Sequence, residues 1–194
     1  MTDTPIPSMQ TGAEQSQPIL VAIDFSDDSR AALLWACEFA DCVDTRLILL
    51  HVVHDPASSP GFYRSQSPGE VQPMQDVAET FMNDFLQDMQ QKYPDLAALQ
   101  RAVTRLVSGL PPGRIVEAAG LLNAKLIVIG SRGMTGLDHM LLGSVAERVV
   151  ELAPGPVVVV KSESGRKKKK KNRKRKKDKK KMKQQAEQQG AASG

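Results

Sequence analysis

Four short apolar runs limit what this chain can fold into. Ile19 to Ile23, Leu47 to Val53, Leu126 to Ile129 and Val157 to Val160 are almost unbroken stretches of Ile, Leu and Val. A strand with one face in water alternates apolar and polar residues. A strand that does not alternate is buried on both faces, which is the condition inside a parallel sheet with helices above and below. A weaker run, Arg101 to Val107, adds β-branched Val103, Thr104 and Val107. Between the runs the apolar spacing changes from continuous to helical.

The first helical segment runs from a cap at Ser26 or Asp27 to about Val43. Ala31, Leu34, Trp35, Phe39 and Cys42 form its expected inner face, which would bury the single tryptophan. The second starts at Pro73 and carries Val77, Phe81, Phe85 and Met89 at four-residue intervals, ending before Pro94. The third is expected from Arg114 to Asn123, after a turn at Gly109–Gly113, with Ile115, Ala118, Ala119 and Leu122 inward. The last follows Ser144, with Val145, Val149, Val150 and Leu152 as its stripe. Five strands alternating with four helices predict an α/β domain with a doubly wound, five-stranded parallel sheet. Its crossovers are right-handed, and a ligand crevice opens at the carboxyl ends of the strands where the winding reverses.

The segment GSRGMTGLDHMLLGSVAERVV, from Gly130 to Val150, links the fourth strand to the last helix. Gly130 and Gly133 tolerate positive φ and leave room for another group to approach the backbone. Beyond Ser144 the free N–H groups and the positive end of the helix dipole favour an anion. A second reading is open at this point. Ser144 and Glu147 have the S-x-x-E spacing of a capping box, so the serine would satisfy its own helix and the glycines would be turn residues.

Gly-x2-Gly-x9-Gly-Ser, at Gly130, Gly133, Gly143 and Ser144, resembles the ATP-binding signature of the universal stress protein family. The likeness extends from about Ile19 to Lys161 and includes AIDFS at the end of the first strand and LLHVV in the second. It implies a Rossmann-like sheet of order 3-2-1-4-5, with a crevice between the first and fourth strands. It also implies nucleoside contacts at Asp24 and Val52, and ribose and phosphate contacts at Gly130, Gly133, Gly143, Ser144 and Val145. The implied ligand is ATP, with or without Mg2+, ahead of AMP or another adenine nucleotide. Ala22 departs from the pattern, since ATP-binding relatives often have proline there. The final strand, Val157 to Val160, falls at a sheet edge in this order, and in the family it pairs across a two-fold axis, which implies a homodimer.

Two residues keep alternatives of their own. Asp24 alone reads equally as a turn or cap carboxylate. Arg132, between the two glycines, reads either as a phosphate contact or as a solvated loop arginine. His51, His54 and His139 lack metal-ligand spacing. No Walker sequence is present, and no G-x-G-x-x-G follows the first strand. Beyond Asp24 or Asp138 no general base is near the loop, which favours binding over turnover. The alternatives are a slow ATPase or nucleotidyl-transfer relative, and an interaction protein of the same fold without nucleotide.

Charge divides the chain. Between Arg166 and Lys183 lie 15 Lys and Arg and one acid, Asp178, whereas residues 1–165 hold 11 basic and 20 acidic residues, a net of −9. The expected organisation is a lead-in over residues 1–17, a domain over 18–163 and a basic tail over 164–194 that cannot pack, because like charges repel and Met182 is the one apolar residue in the run. The tail reads either as a solubilising extension or as an arm for non-specific contact with nucleic acid or anionic membrane. The proline- and serine-rich stretch His54–Gly69 reads as a long loop. Cys37 and Cys42 lie on one helix and point apart, so they are expected as reduced thiols in a cytoplasmic protein without a membrane span.

Overall fold

The computed structural model describes residues 17–54, 74–134 and 142–162. The sheet and its helices belong to one unit, Met1–Lys161, and of the second unit, Ser162–Gly194, only Ser162 is among the described residues. The elements in order are β1 (Ile19–Ala22), α1 (Asp27–Cys42), β2 (Leu47–Val53), α2 (Met74–Lys92), α3 (Ala97–Gln100), β3 (Val103–Ser108), α4 (Pro111–Leu121), β4 (Leu126–Gly130), α5 (Ser144–Leu152) and β5 (Val157–Val160). All pairings are parallel, and the strand order is β3-β2-β1-β4-β5. This is the doubly wound sheet expected from the apolar runs.

β1, β2 and β4 are buried along their whole length, as unbroken apolar runs require. Alternate residues of each strand serve opposite faces. Ile19, Val21, Leu47, Leu49 and Val128 pack under α1, α2 and α3. Leu20, Ala22, Ile48, Leu50, Ile127 and Ile129 pack under α4 and α5. The chain therefore winds to one side of β1 along one face and to the other side along the opposite face. The reversal lies between β1 and β4, where Ile19 to Ala22 pair with Leu126 to Ile129.

α1 lies on the sheet by a different face from the one its large residues suggest. Its buried residues are Asp28, Ser29, Ala32, Leu33, Ala36, Cys37 and Ala40, while Ala31, Leu34 and Trp35 are half-buried and Cys42 is exposed. Trp35 stacks on Phe39 at the border, with centroids 5.3 Å apart, instead of entering the core. Small residues win the inner face because they let the helix approach β4 closely. At Cys37 burial, with Asp41 and Glu38 adding to it, pushes the thiol up to about 12, while Cys42 lies at the surface.

The other helices lie where expected with shifted ends, but α5 buries Ala146 and Val149 and leaves Val150 and Leu152 of its expected stripe exposed, because only that side of this short helix meets the sheet. α2 buries Val77, Ala78, Met82, Phe85 and Met89. α4 begins three residues before the expected Arg114, because Pro111 and Pro112 occupy first-turn positions whose N–H groups the helix would not use. The expected Gly109–Gly113 turn thereby contracts to Gly109, at φ 133, and the N-cap Leu110. Asn123 ends the helix in the left-handed region at φ 48, as expected of a C-terminal stop. α3 was not foreseen. It is one turn, held by the carboxylate of Asp41, which accepts from the amide of Ala98 at 2.8 Å. β3 starts two residues later and ends one residue later than its weak run suggested, and its start is exposed at the sheet edge.

Residues 55–73, which hold most of the predicted long loop, and the basic run Arg166–Lys183 lie outside the described residues. No helix among the described residues is long and apolar enough to cross a membrane.

Candidate functional site

The carboxyl ends of β1 and β4 meet at the reversal point, and each end is closed by a compact set of hydrogen bonds. Past β1, the amide of Ile23 still donates to Leu50 O at 2.8 Å. Asp24 then turns the chain. Its Oδ1 accepts from the amide of Ser26 at 3.1 Å and from the Ser26 hydroxyl at 2.6 Å. Ser26 in turn caps α1, its Oγ accepting from the amide of Ser29 at 3.1 Å. Asp24 is thus a turn residue, yet Oδ1 alone carries these contacts.

Phe25, between them, sits at φ 66, a conformation that bulky residues rarely adopt. Its ring is fixed by His51 at 4.5 Å, Phe85 at 5.6 Å and Phe81 at 6.3 Å. His51 is buried, and its Nδ1 lies 2.7 Å from Ile23 O. A carbonyl only accepts, so Nδ1 carries the proton. Burial lowers the imidazole from its ordinary 6.5, against smaller raising effects from that carbonyl and from Asp24.

Past β4, Gly130 has no space for a side chain. A Cβ there would lie 2.8 Å from both the carbonyl carbon of Asp28 and the amide nitrogen of Ser29. The glycine lets the first turn of α1 rest directly on the strand. Ser131 joins three elements: its amide donates to Val160 O at 2.7 Å, its carbonyl accepts from the amide of Gly143 at 2.8 Å, and its hydroxyl donates to Asp28 Oδ2 at 2.7 Å. Arg132 is neither a solvated loop arginine nor an unengaged cation. Its Nε and Nη2 face Asp28 at 3.3 and 3.4 Å.

Gly133 is exposed, and a Cβ on it would come within 3.0 Å of Asp24 Oδ2. Gly143 packs on the same loop at ordinary contact distance, its would-be Cβ 3.4 Å from Ser131 O and 3.5 Å from Arg132 Cα. Positive φ is not what these positions use. Among the described glycines only Gly109 has it, and Gly130 and Gly133 serve close approach instead.

The capping-box reading of Ser144 does not hold. Gly143 is the N-cap of α5, Ser144 is its first residue, and no side chain bonds the cap. The amide of Glu147 goes to Gly143 O at 2.9 Å. Gly143 takes the cap because its backbone is already held by Ser131, which moves Ser144 one position into the helix. The Ser144 side chain is exposed, and among the described residues no side chain caps the start of α5.

Asp24, Arg132, Gly133, Gly143 and Ser144 are therefore brought to one place by β1, β4 and α5. Val52 is buried near the end of β2, and it shares with half-buried Val145 the apolar core under α4 and α5. Asp138 and His139 lie outside the described residues. Asp28, Ser131, Phe25 and His51 were not foreseen as site residues. Ser131 lies inside the glycine motif, Phe25 in AIDFS and His51 in LLHVV, whereas nothing in the sequence marked Asp28.

Residues 15–161 match the universal stress protein family profile. The chain belongs to that family. Universal stress protein Rv2623 of Mycobacterium tuberculosis is 35% identical over 149 residues, which are 76% of this chain and 46% of that protein. The chain thus spans about half the length of the mycobacterial relative it matches. The structure of universal stress protein UspA from Lactobacillus plantarum is 25% identical with a TM-score of 0.57, covering 76% of this chain and 99% of its own. A universal stress protein from Archaeoglobus fulgidus, solved in complex with dAMP, is 24% identical with a TM-score of 0.52, over 76% and 99% of the two chains. Likeness at that level is one of fold.

Proposed function

We propose that this universal stress protein binds ATP in the crevice between β1 and β4 as a regulatory ligand in a cytoplasmic stress response. The observation that carries the reading is the open N-terminus of α5. Its cap is Gly143, no side chain among the described residues bonds that cap, and the Gly143 amide bond to Ser131 holds it beside Gly133. A phosphate chain supplies acceptors there, and two glycines without Cβ let the backbone reach it. Asp24 and Val52, at the ends of β1 and β2, are assigned to the nucleoside. Gly130, Gly133, Gly143, Ser144 and Val145 are assigned to the ribose and phosphates.

The fold has held an adenine nucleotide in another protein, the Archaeoglobus fulgidus complex with dAMP, which fits this ligand class. Among the described residues no group of three His, Cys, Asp or Glu side chains could hold a metal ion. Mass spectrometry of nucleotide extracted from the purified protein, followed by calorimetric titration with ATP, ADP and AMP, tests the reading. Saturable ATP binding is the expected result, and accumulation of ADP on incubation would favour a slow ATPase. We assign β5 as the homodimer edge, since its valines are half-buried or exposed in the single chain. A monomer mass by light scattering would remove that assignment.

A further inference from the structure

Beside the candidate site a cation and a buried carboxylate far apart in the chain are paired. Asp28 is 3% exposed, in the first turn of α1, and the hydroxyl of Ser131 donates to its Oδ2 at 2.7 Å. The Arg132 guanidinium lies along the same carboxylate at 3.3 and 3.4 Å. These contacts are longer than the ~2.7–2.9 Å of a tight charge-assisted pair. The Arg132 side chain keeps 18% of its surface exposed, against 4% for Asp28, so the cation is at the crevice wall and the anion behind it. Arg132 precedes Gly133, which in turn approaches Asp24 Oδ2. The loop that would meet the phosphates thus supplies one cation, already opposed by Asp28, with a second carboxylate alongside.

We propose that Asp28 sets the preference of this protein among AMP, ADP and ATP by cancelling the charge of Arg132. The inference rests on the crevice being a nucleotide site. A phosphate chain gains from Arg132 only as far as it competes with Asp28, and the gain or loss grows with the number of phosphate charges. With the pair intact Arg132 adds little net charge beside the phosphates, and the site discriminates weakly by phosphate number. Asp28→Asn keeps an oxygen for the Ser131 hydroxyl but removes one negative charge, leaving Arg132 less opposed. Arg132→Gln does the reverse and leaves a buried carboxylate behind the phosphates. The double substitution restores the original net charge without the pair.

The test is calorimetric titration of AMP, ADP and ATP into the full chain and into these three variants at low salt. The reading is the ratio of ATP to AMP affinity. It should rise on the order of ten-fold in Asp28→Asn, fall by a similar factor in Arg132→Gln, and return close to the original value in the double variant. A purely bracing role for Asp28 on Ser131 would shift all three nucleotides together and leave the ratio unchanged. That result overturns the proposal, as does a double variant that stays with either single one. If Asp28→Asn does not fold, Asp28→Ser takes its place, since it also removes the carboxylate charge, and the same rise or its absence decides. If the unmodified protein binds none of the three nucleotides, the reading of the site fails and the inference with it. If it binds them with a ratio no variant moves, only the inference fails.

Discussion

A Cβ placed on Gly133 would lie 3.0 Å from Oδ2 of Asp24, so the loop after β4 comes this close to that carboxylate because residue 133 has no side chain. Asp24 cannot swing aside freely, since Ser26 holds its Oδ1 at 2.6 Å. Gly133→Val should therefore separate the two walls of the crevice and weaken ATP binding by roughly ten-fold or more, equivalent to about 1.4 kcal/mol. Because Gly133 is exposed, the urea midpoint should move little. Unchanged ATP affinity in the folded variant would take Gly133 out of the site.

Gly130 and Gly120 should respond in opposite directions to the same substitution. At Gly130 a methyl group meets backbone atoms of α1 at 2.8 Å, and backbone cannot rotate away as a side chain can. Gly130→Ala should cost roughly 1–3 kcal/mol in urea denaturation by forcing α1 off β4. Gly120 is inside α4 with nothing within 4 Å of its would-be Cβ. Gly120→Ala should stabilise by about 0.5–1 kcal/mol, through lower entropy of the unfolded chain. Equal effects at the two sites would contradict the packing described for β4.

Acid should weaken the fold through His51. Burial holds its native value below the unfolded 6.5, so between the two values the unfolded chain binds the extra proton and the native one does not. The contribution is level above about pH 7, and stability falls as pH drops below 6.5, by at most ~1.4 kcal/mol per pH unit. Urea midpoints measured from pH 8 to pH 5 should show that decline, and His51→Gln should flatten the portion nearest 6.5. The same slope in the variant would assign the decline to carboxylates instead.

The 15 basic residues within Arg166–Lys183 make a prediction independent of the crevice. Full-length protein should bind duplex DNA without sequence preference, or anionic vesicles, with an affinity that falls log-linearly with salt. Truncation after Gly165 leaves a chain of net charge −9, which should not bind either polyanion. Equal affinity of the two forms at every salt concentration would reduce the tail to a solubilising extension.

Strand positions were legible in the sequence because their signal is local. An unbroken run such as Leu47–Val53 means burial on both faces whatever its neighbours are, and Asn123 marks a helix end by its own tolerance of φ 48. The glycine motif located the site for the same reason, since absence of a side chain is written in the residue itself. What those glycines make room for was not legible. Gly130 accommodates α1, Gly133 accommodates Asp24, and Gly143 displaced Ser144 from the cap that its spacing with Glu147 suggested.

The buried face of α1 and the engagement of Arg132 were decided in the same way, by partners distant in the chain. Asp28 and Ser131 stand 103 residues apart, and their 2.7 Å bond exists because parallel pairing of β1 with β4 brings both strand ends to one level. Periodicity reports how a segment divides its surface between core and water. It carries no information about which carboxylate a cation will face, because that contact is fixed only when the crossovers close and the strands take their register.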